Sequence, residues 1–242
     1  MNGAMLTVEN LSAWYGAARI LFDLNFEVGR GEVVALMGRN GAGKSTTMKA
    51  IMGLIGQRQG RVVFNGDNIS TLRSFEIARR GLGFTPEDRR IFADLTVLEN
   101  LDIGRQGARS FPGGEPAPSW TPDKLFALFP NLAEMPDRLG GRMSGGEQQM
   151  LTVARTLMGN PLLVLLDEPS EGVAPLIVEQ MANTIVALKK EGLSILLSEQ
   201  NIHFARLVSD RVYVLEKGQI HWQGSMAQLS DNQDVQRAYL TV

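Results

Sequence analysis

The chain has 242 residues, 44% of them hydrophobic and 21% charged, with a formal net charge of -2. That length suits one large domain or two small ones with a sizeable core, and the near-neutral balance argues against a surface built to bind nucleic acid. There is no cysteine, which excludes disulfides and thiolate metal sites and fits a reducing compartment.

In chain order, residues 1–10 lack the basic stretch and long apolar run of a secretory leader, so none is expected. Residues 5–10, 24–28 and 32–37 are short and rich in β-formers. Turn residues at Tyr15-Gly16 and Gly29-Arg30-Gly31 separate them, which predicts three strands. A glycine loop then leads into a helix over residues 44–52, stopped near Gly53. Residues 61–65 predict a strand, residues 71–80 a helix, and residues 83–85 a strand ended by Pro86. Residues 95–101 and 124–129 predict helices. The Pro-, Gly- and Ser-rich segment 104–122 between them predicts a surface loop. Residues 147–158 predict a strong helix. After Pro161 come a buried strand at 162–166, a helix at 177–190, and strands at 193–198 and 211–215. Alternating strands and helices at both ends predict a mostly parallel α/β sheet, with the helical middle as an inserted subdomain. The apolar run at 162–166 is too short to span a bilayer, so any work at a membrane requires docking onto other chains. No internal repeat is visible.

Gly38-Arg39-Asn40-Gly41-Ala42-Gly43-Lys44-Ser45 matches G-x-x-x-x-G-K-[ST] between an apolar strand and a helix, with Thr46 next in the helix. Glycines let backbone N–H groups close around phosphate oxygens, and the helix N-terminus adds its positive end. Lys44 is placed to reach the β and γ phosphates, and the Ser45 hydroxyl to ligate Mg²⁺. The strand at 162–166 delivers Asp167 and Glu168 to its C-terminal edge, where ligands of α/β sheets bind. Asp167 would hold the Mg²⁺ and Glu168 would act as general base on the attacking water. Alone, such a pair could equally be a solvated strand end. Ser144-Gly145-Gly146-Glu147-Gln148 opens a helix, with Ser144 as cap and a loose anion site at the glycines.

A phosphate loop, then S-G-G-E-Q, then an apolar strand ending Asp-Glu resembles the ATP-binding cassette family over nearly the whole chain. The Ser-Gly-Gly motif is the specific part. The resemblance implies a RecA-like P-loop core, residues 1–87 and 160–225, with an antiparallel β subdomain. An inserted helical subdomain would take residues 88–159, and residues 226–242 a C-terminal tail. It further implies an ATPase that works in head-to-tail pairs. Ser144, Gly145, Gly146 and Glu147 would then meet ATP held by the partner cassette, and residues 169–175 would cross the interface. Tyr15 matches the aromatic that stacks on adenine. Implied partners are a second cassette (a different chain or another copy), two membrane permease subunits and, indirectly, a periplasmic binding protein, with no nucleic acid. The implied location is the cytoplasmic face of a bacterial inner membrane.

Two positions depart from the family pattern. Glu87 stands where a glutamine usually contacts Mg²⁺ and water, and Gln200 where a histidine usually contacts the γ phosphate. An amide can hydrogen-bond phosphate but carries no charge, so slow hydrolysis is expected. His203 has the wrong spacing to substitute and reads as a surface or helix-start residue. The run Pro86-Glu87-Asp88-Arg89-Arg90-Ile91-Phe92, Glu199-Gln200-Asn201 and the ending Ala238-Tyr239-Leu240 are similar to the smaller ATP-binding subunit of branched-chain amino-acid importers. In that family the segment after Glu87 lines the groove for a permease helix, which implicates Arg89, Arg90 and Phe92. Related amides or organic acids remain open as cargo. A permease-free cassette used as a binding module, and a phosphate-loop kinase or GTPase, are the competing readings. The absence of a long insertion opposes the first, and Ser144-Gly145-Gly146 opposes the second.

Overall fold

The computed structural model describes residues 3–240. β1 (Ala4–Tyr15) and β2 (Ala18–Gly29) form an antiparallel hairpin, turned at Gly16 with φ +57°. β3 (Val33–Met37) is buried at every position and runs into the glycine loop and α1 (Lys44–Ile51). β4 (Gln57–Phe64), β5 (Asp67–Asn68), α2 (Ser74–Arg79) and β6 (Leu82–Thr85) follow. The middle holds α3 (Val97–Gly104), α4 (Pro122–Leu128), α5 (Pro130–Ala133), a 3₁₀ turn at Gly140–Arg142 and α6 (Gly145–Leu157). Then come β7 (Leu163–Asp167), α7 (Pro175–Lys190), β8 (Ser194–Glu199), α8 (Ile202–Val208), β9 (Arg211–Glu216), β10 (Gln219–Ser225), α9 (Met226–Asp231) and α10 (Gln233–Tyr239).

Two sheets result, in the order β2-β1-β4-β5 and β10-β9-β3-β8-β7-β6. The first is antiparallel. In the second, every pair from β9 to β6 is parallel and only β10 runs against its neighbour. β3, β7 and β8 show unbroken burial because both faces of this sheet are covered. On one face Val34, Leu36, Leu163, Leu165 and Leu196 join the antiparallel sheet and α1 in a shared core. On the other, Val33, Val164, Leu166, Ile195 and Leu197 pack with Leu101, Leu151, Ile185 and Phe204 of the helical layer. A smaller cluster seats Met226 and Leu229 of α9 on Ala35, Met37, Val212 and Val214.

Register fixes the functional edge. Met37 pairs with Glu199, Ser198 with Asp167, and Leu166 with Thr85. The ends of four parallel strands are therefore level, and residues 38–45, 87, 167–168 and 199–200 leave the sheet at one rim.

Several elements differ from the sequence reading. β1 continues past Asn10 to Tyr15, and β2 begins at Ala18 rather than at 24. Asn10 and Asp23 both have φ +51°, and the β1–β2 register shifts between Val8 and Leu11. Such bulges break the alternation on which the strand signal depends. α2 starts at Ser74, shorter than the expected 71–80, because Arg73 occupies its N-cap. The 104–122 segment is the expected surface loop over most of its length, but three of its side chains turn inward. Phe111, Ala117 and Trp120 within it are buried, the first two in the core beneath the sheets. Arg30 pins it by stacking 3.5 Å from the Phe111 ring and donating from Nη1 to Glu115 Oε2 at 2.8 Å. Residues 1–2 and 241–242, at the ends of the expected leaderless N-terminus and C-terminal tail, lie outside the described residues.

Candidate functional site

The loop between β3 and α1 is shaped by what glycine permits. A Cβ on Gly38 would come within 2.3 Å of Leu215 O, and Gly43, at φ +109°, would press one against Leu21 Cδ2 at 2.9 Å. The loop curls around its own lysine. Lys44 is 3% exposed, and its Nζ donates to Gly38 O at 2.9 Å and Arg39 O at 3.3 Å and pairs with Glu168 Oε1 at 2.9 Å. Thr47 Oγ1 ties α1 back to Gly43 O at 2.8 Å.

β7 ends in the two acids. Ser45 Oγ and Ser198 Oγ donate to Asp167 Oδ1 at 2.9 and 2.6 Å, while Asp167 Oδ2 is buried with no hydrogen-bond partner among the described residues. Burial holds the Asp167 carboxyl above the usual range, with those two serine bonds opposing. Glu168 adopts φ +48°, a conformation costly for a non-glycine residue, and its N–H is fixed by Ser198 O at 3.1 Å and Ser198 Oγ at 3.2 Å. Burial pushes the Glu168 carboxyl up, but hydrogen bonding to Glu171 and to Lys44 outweighs it, leaving Glu168 below its ordinary value. Its Oε2 is also buried, with no hydrogen-bond partner among the described residues. Glu171 is pushed up to about 7, first by the hydrogen bond shared with Glu168 and then by lost solvation.

A cleft of about 460 Å³ gathers these groups: Tyr15, Ile20, Asn40, Gly41, Gly43, Lys44, Ser45, Thr46, Glu87, Glu168 and Glu171 line it. Tyr15 is half exposed at the tip of the β1–β2 hairpin, as a stacking platform must be. Gly38, Arg39, Ala42 and Asp167 shape the loop and strand end without lining the cleft. Gln200 does not line it either. It sits exposed just past β8, in a loop latched by the buried Glu199. Glu199 accepts from the backbone N–H groups of Ser170, Gln200 and Asn201 at 3.2, 3.0 and 2.9 Å, so one carboxylate holds both the Glu168–Pro175 turn and the Gln200 turn. Ile20, Glu171 and Glu199 were not singled out from the sequence. The only available signal was a third acid three residues after Glu168.

Ser144 to Glu147 lie away from this cleft. Ser144 Oγ accepts from Glu147 N at 3.4 Å and Glu147 Oε2 from Ser144 N at 2.7 Å, so Glu147 is engaged in a capping box at the start of α6. Gly146 packs under α7, where a Cβ would sit 2.7 Å from Ile177 Cγ1. His203 is exposed on α8, as its spacing suggested.

A second concavity of about 710 Å³ opens between α2, β6 and the ends of α3 and α6. Leu54, Phe75, Phe92 and Ile103, four of the large apolar side chains left exposed, border it together with Arg79, Arg90 and Arg155. Of the three residues expected at a permease groove, Arg90 and Phe92 line this concavity and Arg89 does not.

Residues 21–171 match the family model for the ABC transporter. The chain is 42% identical to the high-affinity branched-chain amino acid transport ATP-binding protein BraG of Pseudomonas aeruginosa, over 98% of this chain and 99% of that one. It is 36% identical to the lipopolysaccharide export system ATP-binding protein LptB of Haemophilus influenzae, over 98% and 97%. Its fold matches the ADP conformation of MJ1267, an ATP-binding cassette of an ABC transporter, with a TM-score of 0.77 at 29% identity over 95% and 94% of the two chains. The phosphate loop and its paired acids thus sit on a scaffold shared along the full length with these proteins, and the chain belongs to the ABC transporter family as an ATPase subunit.

Proposed function

We propose that this chain drives an importer of branched-chain amino acids, hydrolysing ATP at the cytoplasmic face of the membrane. The observation that carries the cargo is the likeness to BraG, which extends over nearly all of both chains. The likeness to LptB favours a second reading, the motor of an envelope-lipid exporter.

In the proposed reaction Tyr15 stacks the adenine and the amides of residues 40–46 take the phosphates. Phosphate oxygens compete with Glu168 for Lys44, so binding the substrate frees the carboxylate that must orient and deprotonate water. The hard oxygens of Ser45 and Asp167, with Asp167 Oδ2 unpaired, suit Mg²⁺, and Glu87 stands on the same rim. Mg²⁺ there would neutralise charge gathering on the β and γ phosphates. A second cassette, a different chain or another copy, completes each site through its Ser144–Glu147 equivalent. Permease subunits seat a helix in the groove bordered by Phe75, Arg90 and Phe92, and a periplasmic binding protein delivers cargo to them.

The test is uptake of labelled leucine, isoleucine and valine by cells lacking this chain. The parent chain should restore it. Lys44→Ala should fail through lost ATP binding. Glu168→Gln should bind ATP and lower turnover by about a hundredfold or more. Normal uptake in the deletion strain would remove these amino acids as cargo.

A further inference from the structure

The loop after Glu87 is expected to face the permease groove, but its three candidate side chains divide. Arg90 and Phe92 border the groove. Arg89 turns the other way and lays its guanidinium on the start of α6. A Cβ added to Gly145 would meet Arg89 Nη1 at 2.8 Å and Cζ at 3.3 Å, and one added to Gly172 would lie 4.0 Å from Nη2. Glycine at 145 therefore makes room for this arginine. The placement is braced. Arg89 and Arg90 both have positive φ, +61° and +51°. α6 itself secures the bend: Thr152 Oγ1 donates to Arg89 O at 2.9 Å, and Arg155 Nη2 donates to Arg90 O at 2.7 Å.

The guanidinium is held without a counter-charge. Arg90 pairs with Asp88 at 2.8 Å, whereas among the described residues no carboxylate lies within 4.0 Å of the Arg89 nitrogens. It also lies beside the positive end of a 13-residue helix, where a cation is disfavoured until an anion arrives. A planar guanidinium beside the first amides of a helix is a fitting receiver for a phosphate.

We propose that Arg89 is a phosphate-contacting residue of the Ser144–Gly146 surface, supplying it with a positive charge for the γ phosphate of ATP held by the neighbouring cassette. This rests on the reading above that cassettes pair head to tail. One short loop then addresses two nucleotides with opposite charges: Glu87 faces the cleft of its own chain, and two residues on, Arg89 faces the neighbour's.

The experiment uses the assembled transporter with a fluorophore pair across the cassette interface, reading the ATP concentration for half-closure. Arg89→Gln should raise that concentration by about tenfold, the size of a lost charge-assisted hydrogen bond, and Arg89→Lys by less. The rise in half-closure concentration with added salt should be shallower in Arg89→Gln than in the parent, a change that a packing role would not cause. ATP affinity of the isolated chain should not change, because Arg89 does not line its cleft. Ser144→Arg serves as control and should abolish closure; if it closes normally, head-to-tail pairing itself is wrong. If Ser144→Arg fails to close while Arg89→Gln closes at the parent concentration, the pairing stands and the role of Arg89 is overturned. Lost ATP affinity in isolated Arg89→Gln would also overturn it, by assigning the residue to its own chain's site or to the fold.

Discussion

Glu168 is held from two sides, by Lys44 at 2.9 Å and by the hydrogen bond it shares with Glu171. That second contact, together with lost solvation, lifts the Glu171 carboxyl from an ordinary 4.5 to about 7. The folded chain then binds more protons than the unfolded chain between those values, so this group's contribution to stability falls as pH rises through the window and levels off above it. Glu171→Gln removes the titration. Its melting temperature should fall less than the parent's between about pH 5 and about pH 7.5. Parallel curves for the two proteins would reject the shared proton. Glu171 is an acid in a turn, and nothing in its local sequence distinguishes it from a solvated one. Its role follows from the backbone of Glu168, whose positive φ turns that side chain back toward the loop.

At the scale of elements, the 104–122 segment is the exposed loop its composition suggests, anchored by a few buried side chains. Proline, glycine and serine mark it as a loop, and it has almost no regular structure. Yet Phe111 is 5% exposed in the core beneath both sheets, held there by Arg30 and Glu115. Phe111→Ala should therefore lower stability in urea unfolding by about 3 kcal/mol, the usual size for a buried aromatic. ATP affinity should stay near the parent value, because the segment lies at the far end of the sheet from the cleft. A loss below about 0.5 kcal/mol, the range of surface substitutions, would reject Phe111 as an anchor of the loop. Composition identified the loop but not its anchor, because a single aromatic among turn residues carries no periodicity to reveal its burial.

For the whole molecule, the two ATP sites of a working pair should be unequal if the partner is a different chain. The site on this chain's phosphate loop carries Gln200 and Glu87 in place of the usual histidine and glutamine, with Asp167 and Glu168 intact. It should be slow rather than inactive, and Ser144–Gly146 of this chain would complete the faster site on the partner. Steady-state ATPase of the reconstituted transporter makes the comparison. Ser144→Arg damages the partner's site and should cost more than Glu168→Gln, which damages this one. Equal losses would make the sites equivalent.

The sequence by itself determined the phosphate loop, the paired acids and the capped start of α6. Gly38–Ser45 between a strand and a helix, an apolar strand ending in Asp167 and Glu168, and Ser144 capping a helix are local patterns whose spacing carries their chemistry. Tyr15 was placed by resemblance, and the fold then brought it to the same cleft. Tertiary structure decided what no local pattern holds. Strand order and register brought residues from positions 38 to 200 to one rim, because parallel neighbours β3, β8, β7 and β6 are far apart along the chain. Burial of one carboxylate, Glu199, tied two turns together. Two positive-φ residues, braced by side chains of α6, sent Arg89 and Arg90 to different surfaces. Side-chain direction after a bend depends on backbone angles set by distant hydrogen-bond partners, and those are absent from the order of residues.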